Sequence, residues 1–250
     1  MKTTFTSSGK MQNTNDIDVE KIIDDGIYMV LHAGRNAIYR VRYYDYDLVK
    51  KEFGSRFKNE IVYALRSSKA KRSYYNACEL LRRDISTPAP RAYIETRGRF
   101  NTLKESAYIC DYMPSIPLCE VIETYGDVCL TAFAAFVAEL HEKGILHHDL
   151  NNTNVRVNID DDNNFLFSLI DLNRMTIFET ERQIPPRLCF KNLTRFSGFD
   201  DGFIYFAKEY LKYRNLDERY LNKLIKIKKS HDKSVNYKLA LKRFIKRIIH

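Results

Sequence analysis

The sequence predicts an α+β protein in two parts: an N-terminal antiparallel sheet with a helix, then a mainly helical, reduced C-terminal part. Three observations carry this. Residues 27–53 are rich in β-branched and aromatic residues, and Asp45 and Asp47 punctuate a hairpin within them. Phe133, Phe136, Val137 and Leu140 fall at i, i+3, i+4 and i+7, and Gly144 follows where a helix C-terminal cap belongs. Residues 203–229 and 235–249 read as two further helices, the last with Leu241, Phe244, Ile245 and Ile248 along one face.

Composition bounds the rest. A chain of 250 residues suits one two-lobed domain or two small ones. Hydrophobic residues at 44% and charged ones at 29% are ordinary for a soluble globular protein. No uninterrupted apolar run reaches about 18 residues, so no membrane-spanning helix is expected. The polar residues 1–15 lack a signal-peptide core. Five cysteines, odd in number and without a C-x-x-C pair, favour reduced thiols and a cytoplasmic place over a disulfide framework or zinc site. Residues 221–250 hold ten Lys or Arg against Asp232 alone, so the formal charge of +9 resides in this tail.

In order, residues 1–16 read as a flexible lead-in, 17–113 as the first lobe and 114–250 as the second. Leu48-Val49-Lys50-Lys51-Glu52-Phe53 is a strand, which sends Lys50 and Lys51 to opposite faces. The preceding turn, His32-Ala33-Gly34-Arg35-Asn36, has Gly34 as its sole glycine, so there is no G-x-G-x-x-G. Residues 56–83 form a basic helical stretch, clearest over 73–83. Pro88 and Pro90 end it, and a strand follows. Residues 105–113 are another strand, running into Asp111-Tyr112-Met113-Pro114 at the junction of the two parts. Short strands are expected over 152–157 and 165–170. The acidic turn 160–164 between them lacks the glycine and terminal Glu of an EF-hand and reads as a solvated hairpin tip.

The chemistry centres on His147-His148-Asp149-Leu150-Asn151-Asn152-Thr153-Asn154 and, downstream, on Asp171-Leu172-Asn173 at the end of an apolar run. Polar loops of this kind also close turns on their own backbone. Here the loop follows a strong helix and precedes two apolar runs and a second Asp. This order resembles the H-x-D-x-x-x-x-N catalytic loop and metal-binding Asp of the protein-kinase-like phosphotransferases, and implies their bilobal protein-kinase-like fold. Phosphoryl transfer is mostly positioning and charge neutralisation. It needs one carboxylate to orient the attacking hydroxyl, and an amide oxygen and second carboxylate to hold Mg²⁺ on the phosphates of ATP. The resemblance implies Asp149, Asn154 and Asp171 as catalytic residues, with Asn154 and Asp171 as metal ligands. Lys51 would contact phosphates, Gly34 would cover them, and the backbone of Asp111 and Met113 would bind adenine. Either Glu60 or Glu79 would pair with Lys51; the sequence leaves both open.

The details resemble the lipopolysaccharide core kinases, the Kdo and heptose kinase family, over roughly residues 30–200. The resemblance is carried by residues 48–53, by Thr87-Pro88-Ala89-Pro90-Arg91-Ala92-Tyr93-Ile94-Glu95, by residues 140–151 and by Leu169-Ile170-Asp171-Leu172-Asn173-Arg174. It implies a cytoplasmic, membrane-associated kinase acting on a sugar hydroxyl of the inner core, peripheral on the inner face of the inner membrane. Three departures set the chain apart from protein Ser/Thr kinases. Asn151 stands where those have Lys, His148 replaces the Arg that would bind a phosphorylated activation segment, and no A-P-E follows Asp171. The basic tail fits an anionic membrane surface or, equally, a helix packed by its apolar face with its charges solvated. No nucleic-acid recognition motif accompanies it. Two other readings stand beside it: a small-molecule phosphotransferase of the aminoglycoside or choline type, which shares the Asp-to-Asn spacing, and a nucleotide-binding pseudokinase scaffold, which draws on the poor glycine loop and the unassigned Glu partner.

Overall fold

The structure is a computed structural model and describes residues 2–7, 26–34, 36–54, 66–179, 184–196 and 200–249. The chain forms two compact units, residues 1–114 with 168–174, and residues 115–167 with 175–250.

The first unit is built on a six-stranded sheet. Its strands are β1 (Lys2–Ser7), β2 (Ile27–His32), β3 (Asn36–Tyr43), β4 (Tyr46–Phe53), β5 (Pro90–Arg97) and β6 (Leu103–Asp111), in the order β1-β5-β6-β4-β3-β2. Every pairing is antiparallel. The lead-in expected over 1–16 needs correction: Lys2–Ser7 is an edge strand paired along β5. The run Thr3-Thr4-Phe5-Thr6 has strand propensity. Its partner lies some 90 positions away, so no local hairpin signals the pairing.

Alternation sorts the sheet's two faces. Val41, Leu48, Ala92, Ile94, Ala107 and Ile109 form a buried cluster. Lys50 shares their side of β4; it is buried and ion-paired with Glu52. Lys51 points the other way, level with Tyr108 of β6. Helix α1 (Lys69–Arg82) packs on β5 and β6. Ser68 caps it by accepting from the Lys71 amide at 3.0 Å. Ala70, Ser73, Tyr74, Ala77 and Leu80 form its buried stripe, and Tyr74 meets Tyr93 of β5 at 5.4 Å.

The second unit is mainly helical. Helix α2 (Leu118–Glu142) is kinked at Gly126, whose φ of 53° and ψ of −129° suit only glycine. By length and composition this is the one helix among the described residues apolar enough to cross a membrane, an outcome the run-length expectation did not foresee. The kink divides it, and its second half is a core helix. Phe133 is fully buried and meets Phe196, Phe206 and Phe167 at 5.0, 5.4 and 5.6 Å. Gly144, at φ 76°, ends the turn after α2 and donates to His141 at 3.2 Å.

Strand β8 (Ile145–His147) pairs antiparallel with β11 (Met175–Ile177). Strands β7 (Ile116–Pro117), β9 (Val155–Ile159) and β10 (Phe165–Leu169) form a small sheet in the order β10-β9-β7. The turn between β9 and β10 is the solvated tip foreseen. Asp160 Oδ2 accepts from Asn164 Nδ2 at 3.0 Å and Oδ1 from the amides of Asn164 and Asp162 at 2.8 and 3.0 Å, and these bonds, that of the Asn164 side chain foremost, hold its carboxyl below the usual range.

Helices α3 (Pro186–Leu193), α4 (Asp201–Tyr213) and α5 (Tyr220–Ile249) complete the unit. This corrects the two helices expected over 203–229 and 235–249. The break falls at Asn215, in a left-handed conformation with φ 48°, and no break occurs at residues 230–234, where nothing interrupts helical hydrogen bonding. All five cysteines are unpaired.

Candidate active site

The catalytic loop is shaped by Asn151. Its Oδ1 accepts from the Thr153 amide at 3.0 Å, the Thr153 hydroxyl at 2.7 Å and the Asn154 amide at 3.0 Å. One side chain thus supplies the turn's acceptors, as a short amide can. Asn154 Nδ2 then donates back to the Asp149 carbonyl at 2.9 Å. The return bond closes the five-residue interval between the two predicted residues. It leaves Asn154 Oδ1 and the Asp149 carboxylate without partners among the described residues. Asn152 Oδ1 is buried and also unpartnered there.

The entry to this loop is anchored from below by a buried polar chain. Asn192 Nδ2 donates to the His147 carbonyl at 2.7 Å, which fixes Asn192 Oδ1 as an acceptor for His141 Nε2 at 3.0 Å. His141 Nδ1 is then left to accept from the Tyr210 hydroxyl at 2.7 Å. His141 is 1% exposed, and burial lowers its pKa to about 4, assisted by the charge of Arg214 and opposed by the Asn192 bond. It is therefore a neutral spacer with one defined tautomer.

The other predicted residues belong to the first unit. Lys51 Nζ donates to Asp171 Oδ1 at 2.7 Å, with the side chains 16% and 29% exposed. Asn173 Nδ2 reaches the same oxygen. Asp171 Oδ2 is thereby left with no partner among the described residues. Asp171 has φ +58°, a strained region for a residue bearing a Cβ and one that collects at functional positions. The turn around it is tied into the unit. Asn76 Nδ2 on α1 donates to the Leu172 carbonyl at 2.7 Å, and the Thr87 hydroxyl to the Leu169 carbonyl at 2.7 Å.

The Glu expected beside Lys51 is not Glu79. That carboxylate is bound by Arg82 at 2.6 Å and Arg83 at 2.7 Å, and these partners, Arg82 foremost, bring its pKa down to about 2. Glu60 lies outside the described residues. What α1 offers the Asp171 turn is an amide, Asn76. Gly34 does sit in the β2–β3 turn, where an added Cβ would come within 2.9 Å of the His32 ring. Asp111 is committed on both counts: its amide donates to Ala89 at 3.0 Å and its carboxylate is ion-paired with Arg91. Tyr112 donates to Asp47 at 2.8 Å, fixing the strand exit just before Met113.

No cluster of three His, Cys, Asp or Glu that would enclose a metal exists among the described residues. Mg²⁺ in phosphotransferases commonly binds through one or two protein oxygens, with substrate phosphates and water supplying the rest. The free oxygens of Asn154 and Asp171 are hard donors of the right kind.

Sequence reasoning missed Asn151, Asn76, His141 and Asn192. The spacing Asn151-x-Thr153 carries a turn signal, whereas Asn76 and Asn192 act across the fold and leave no local trace.

A strand lysine bonded to the aspartate of a strained turn, and a loop presenting a free carboxylate and amide oxygen five residues apart, define a protein-kinase-like phosphotransferase. The profile of the lipopolysaccharide kinase (Kdo/WaaP) family matches residues 49–197, more than half of the chain, and the chain belongs to that family. It is therefore a kinase, with ATP as phosphoryl donor. Among solved structures, WaaP in complex with acyl carrier protein is similar over 80% of this chain and 86% of that one, with a TM-score of 0.54 at 16% identity, a shared fold. The Rio2 kinase–ADP/Mg²⁺–phosphoaspartate complex from Chaetomium thermophilum aligns over 78% of this chain and 57% of that one, with a TM-score of 0.46 at 14% identity. No curated protein sequence matches the chain.

Proposed function

We propose that this kinase transfers the γ-phosphoryl group of ATP to a sugar hydroxyl, Kdo or heptose, of the lipopolysaccharide inner core. The observation that carries the reading is the Asn151-closed loop, which leaves Asp149 and Asn154 Oδ1 unengaged. Asp149 orients the acceptor hydroxyl and takes its proton as the new O–P bond forms and the bond to the β-phosphate oxygen breaks, releasing ADP. Asn154 and Asp171 would hold Mg²⁺, which would neutralise charge on the phosphates. Lys51 leaves Asp171 for the α- and β-phosphates when nucleotide arrives. Gly34 and the backbone at Asp111 and Met113 border the nucleotide.

A lipid-linked acceptor places the enzyme at the inner face of the inner membrane. In support, residues 233–241 of α5 are exposed, carrying Lys233 and Lys238 beside Val235, Tyr237, Leu239 and Leu241. Such a segment suits an anionic surface.

The decisive assay is ATP turnover with Mg²⁺, with and without rough lipopolysaccharide or inner-core sugars. Acceptor-stimulated turnover that disappears in Asp149→Ala supports the sugar kinase and the base together. ATP binding with no stimulation by any such acceptor would overturn it.

A further inference from the structure

Within the second unit, a cleft of about 920 Å³ begins at Leu146 and His148, the residue before Asp149. Leu146, Leu188 and Ile227 give it apolar surface, and two rows of exposed cations rim it. Arg187, Lys191 and Arg195 repeat every four residues along α3 and its end, and Lys223 and Lys226 face them from α5. Among the described residues the lining contains no Asp or Glu. Among the described residues none of these five cations is ion-paired. The nearby acid, Asp232, is bound to Lys228 and His231 at 3.0 and 3.1 Å.

Like charges at a spacing of four repel along a helix, and two such rows around one concavity repel across it as well. Solvation relieves this on a convex face. In a concave one the low-dielectric walls concentrate the positive potential and draw in anions. His148 registers that field: burial lowers its pKa first, and the charge of Arg195 lowers it further. The residue types also matter. Arginines bind carboxylate or phosphate through two parallel N–H bonds, and Ser230 and Ser234 add neutral hydroxyls suited to sugar. The volume is that of a small-molecule site, enough for a disaccharide head.

We propose that this cleft receives the acidic part of the acceptor: a glycan bearing at least two carboxylate or phosphate groups, held so that a neighbouring hydroxyl reaches Asp149. The inference rests on the sugar-kinase reading and adds a specificity to it, for acidic over neutral glycans.

Direct binding to the full chain tests the cleft apart from turnover. The probes are a Kdo disaccharide, a bisphosphorylated glucosamine disaccharide, and a carboxyl-reduced Kdo disaccharide as neutral control. At least one acidic probe should bind and weaken with added salt, while the neutral one binds at least tenfold more weakly. Arg187→Gln with Lys191→Gln, and separately Lys226→Gln, should each weaken the acidic probe about tenfold or more with melting temperature retained. Lys208→Gln, an exposed position on α4 outside the cleft, should not. Which acidic probe binds tells whether carboxylates or phosphates are read. Equal binding of acidic and neutral probes, or acidic binding indifferent to the cleft variants, overturns the proposal. Asp149-dependent turnover alongside such indifference would sink the cleft alone. Variant-sensitive binding with no turnover of any acceptor would sink the sugar-kinase reading and leave an anion site standing.

Discussion

At the scale of residues, the loop depends on one amide that touches no substrate. Asn151 closes the turn through three bonds at a single oxygen, so Asn151→Ala removes all three. We expect a stability loss of about 1 kcal/mol, chiefly from the acceptor lost to the part-buried Asn154 amide since the two Thr153 donors are exposed, and a drop in kcat beyond what unfolding explains. Asn151→Asp keeps the acceptor and should restore most of both. Equal kcat in wild type and Asn151→Ala would remove the positioning role. His141 sets a pH dependence. Its folded pKa of about 4 lies below its ordinary 6.5, so the unfolded chain takes up a proton first as pH falls. The neutral ring's contribution is whole above pH 6.5 and is lost progressively between 6.5 and 4, by about 3 kcal/mol at most. Urea midpoints at pH 7, 5.5 and 4 should decline, and His141→Gln should flatten that slope. An unchanged slope in the variant would assign the acid sensitivity to other groups.

At the scale of elements, what could be read from the sequence was whatever local periodicity encodes. Strand β4 alternates, so spacing alone sends Lys50 and Lys51 to opposite faces. The stripe of α2 from Phe133 to Leu140 and its Gly144 cap were equally legible. The first turns of α2 were not, because Gly126 interrupts them by a backbone conformation that has no hydrophobic period. Strand β1 was hidden by the distance to β5, and the continuity of α5 by the polar run Ser230-His231-Asp232-Lys233-Ser234, which interrupts the apolar period. Glu79, one of the two glutamates left open as a partner for Lys51, instead pairs with Arg82 and Arg83, three and four positions away on the same helix, where ion pairs form most readily. Phe133 is the keystone of the second unit's aromatic core, and Phe133→Ala should cost about 3–5 kcal/mol. A thermal midpoint unchanged by that substitution would mean the cluster collapses around the gap. On α1, Asn76→Ala should raise the KM for ATP if the Leu172 carbonyl must be held for Asp171 to stay in place. An unaltered KM would reduce the bond to a packing detail.

At the scale of the whole molecule, the division of labour is legible only in part. The chain separates near residue 114, at the place where the strand 105–113 was expected to end. The segment 168–174 nevertheless folds with the first unit although it lies far along the chain, and no composition shift announces it. The bonds from Thr87 and Asn76 that hold it are long-range, the kind that sequence spacing does not reveal. Charge is also distributed by unit, since the surplus lies in the tail. Membrane affinity should follow it. Each lysine near an anionic surface contributes about 1 kcal/mol, so Lys233→Gln with Lys238→Gln should weaken binding to phosphatidylglycerol vesicles by tenfold or more. Indifference to the pair would locate any membrane contact elsewhere.

Helix α5 is unbroken for 30 residues, which at 1.5 Å per residue makes a rod about 45 Å long. Its first turns carry Lys223 and Lys226, and Lys228 pins it to the Thr194 carbonyl at 3.0 Å. Residues 233–241 of it are exposed. A stiff arm clamped at one end transmits orientation. Whatever grips the outer turns also aims the inner ones, so a single proline at Ser234 would uncouple grip from aim while leaving each intact.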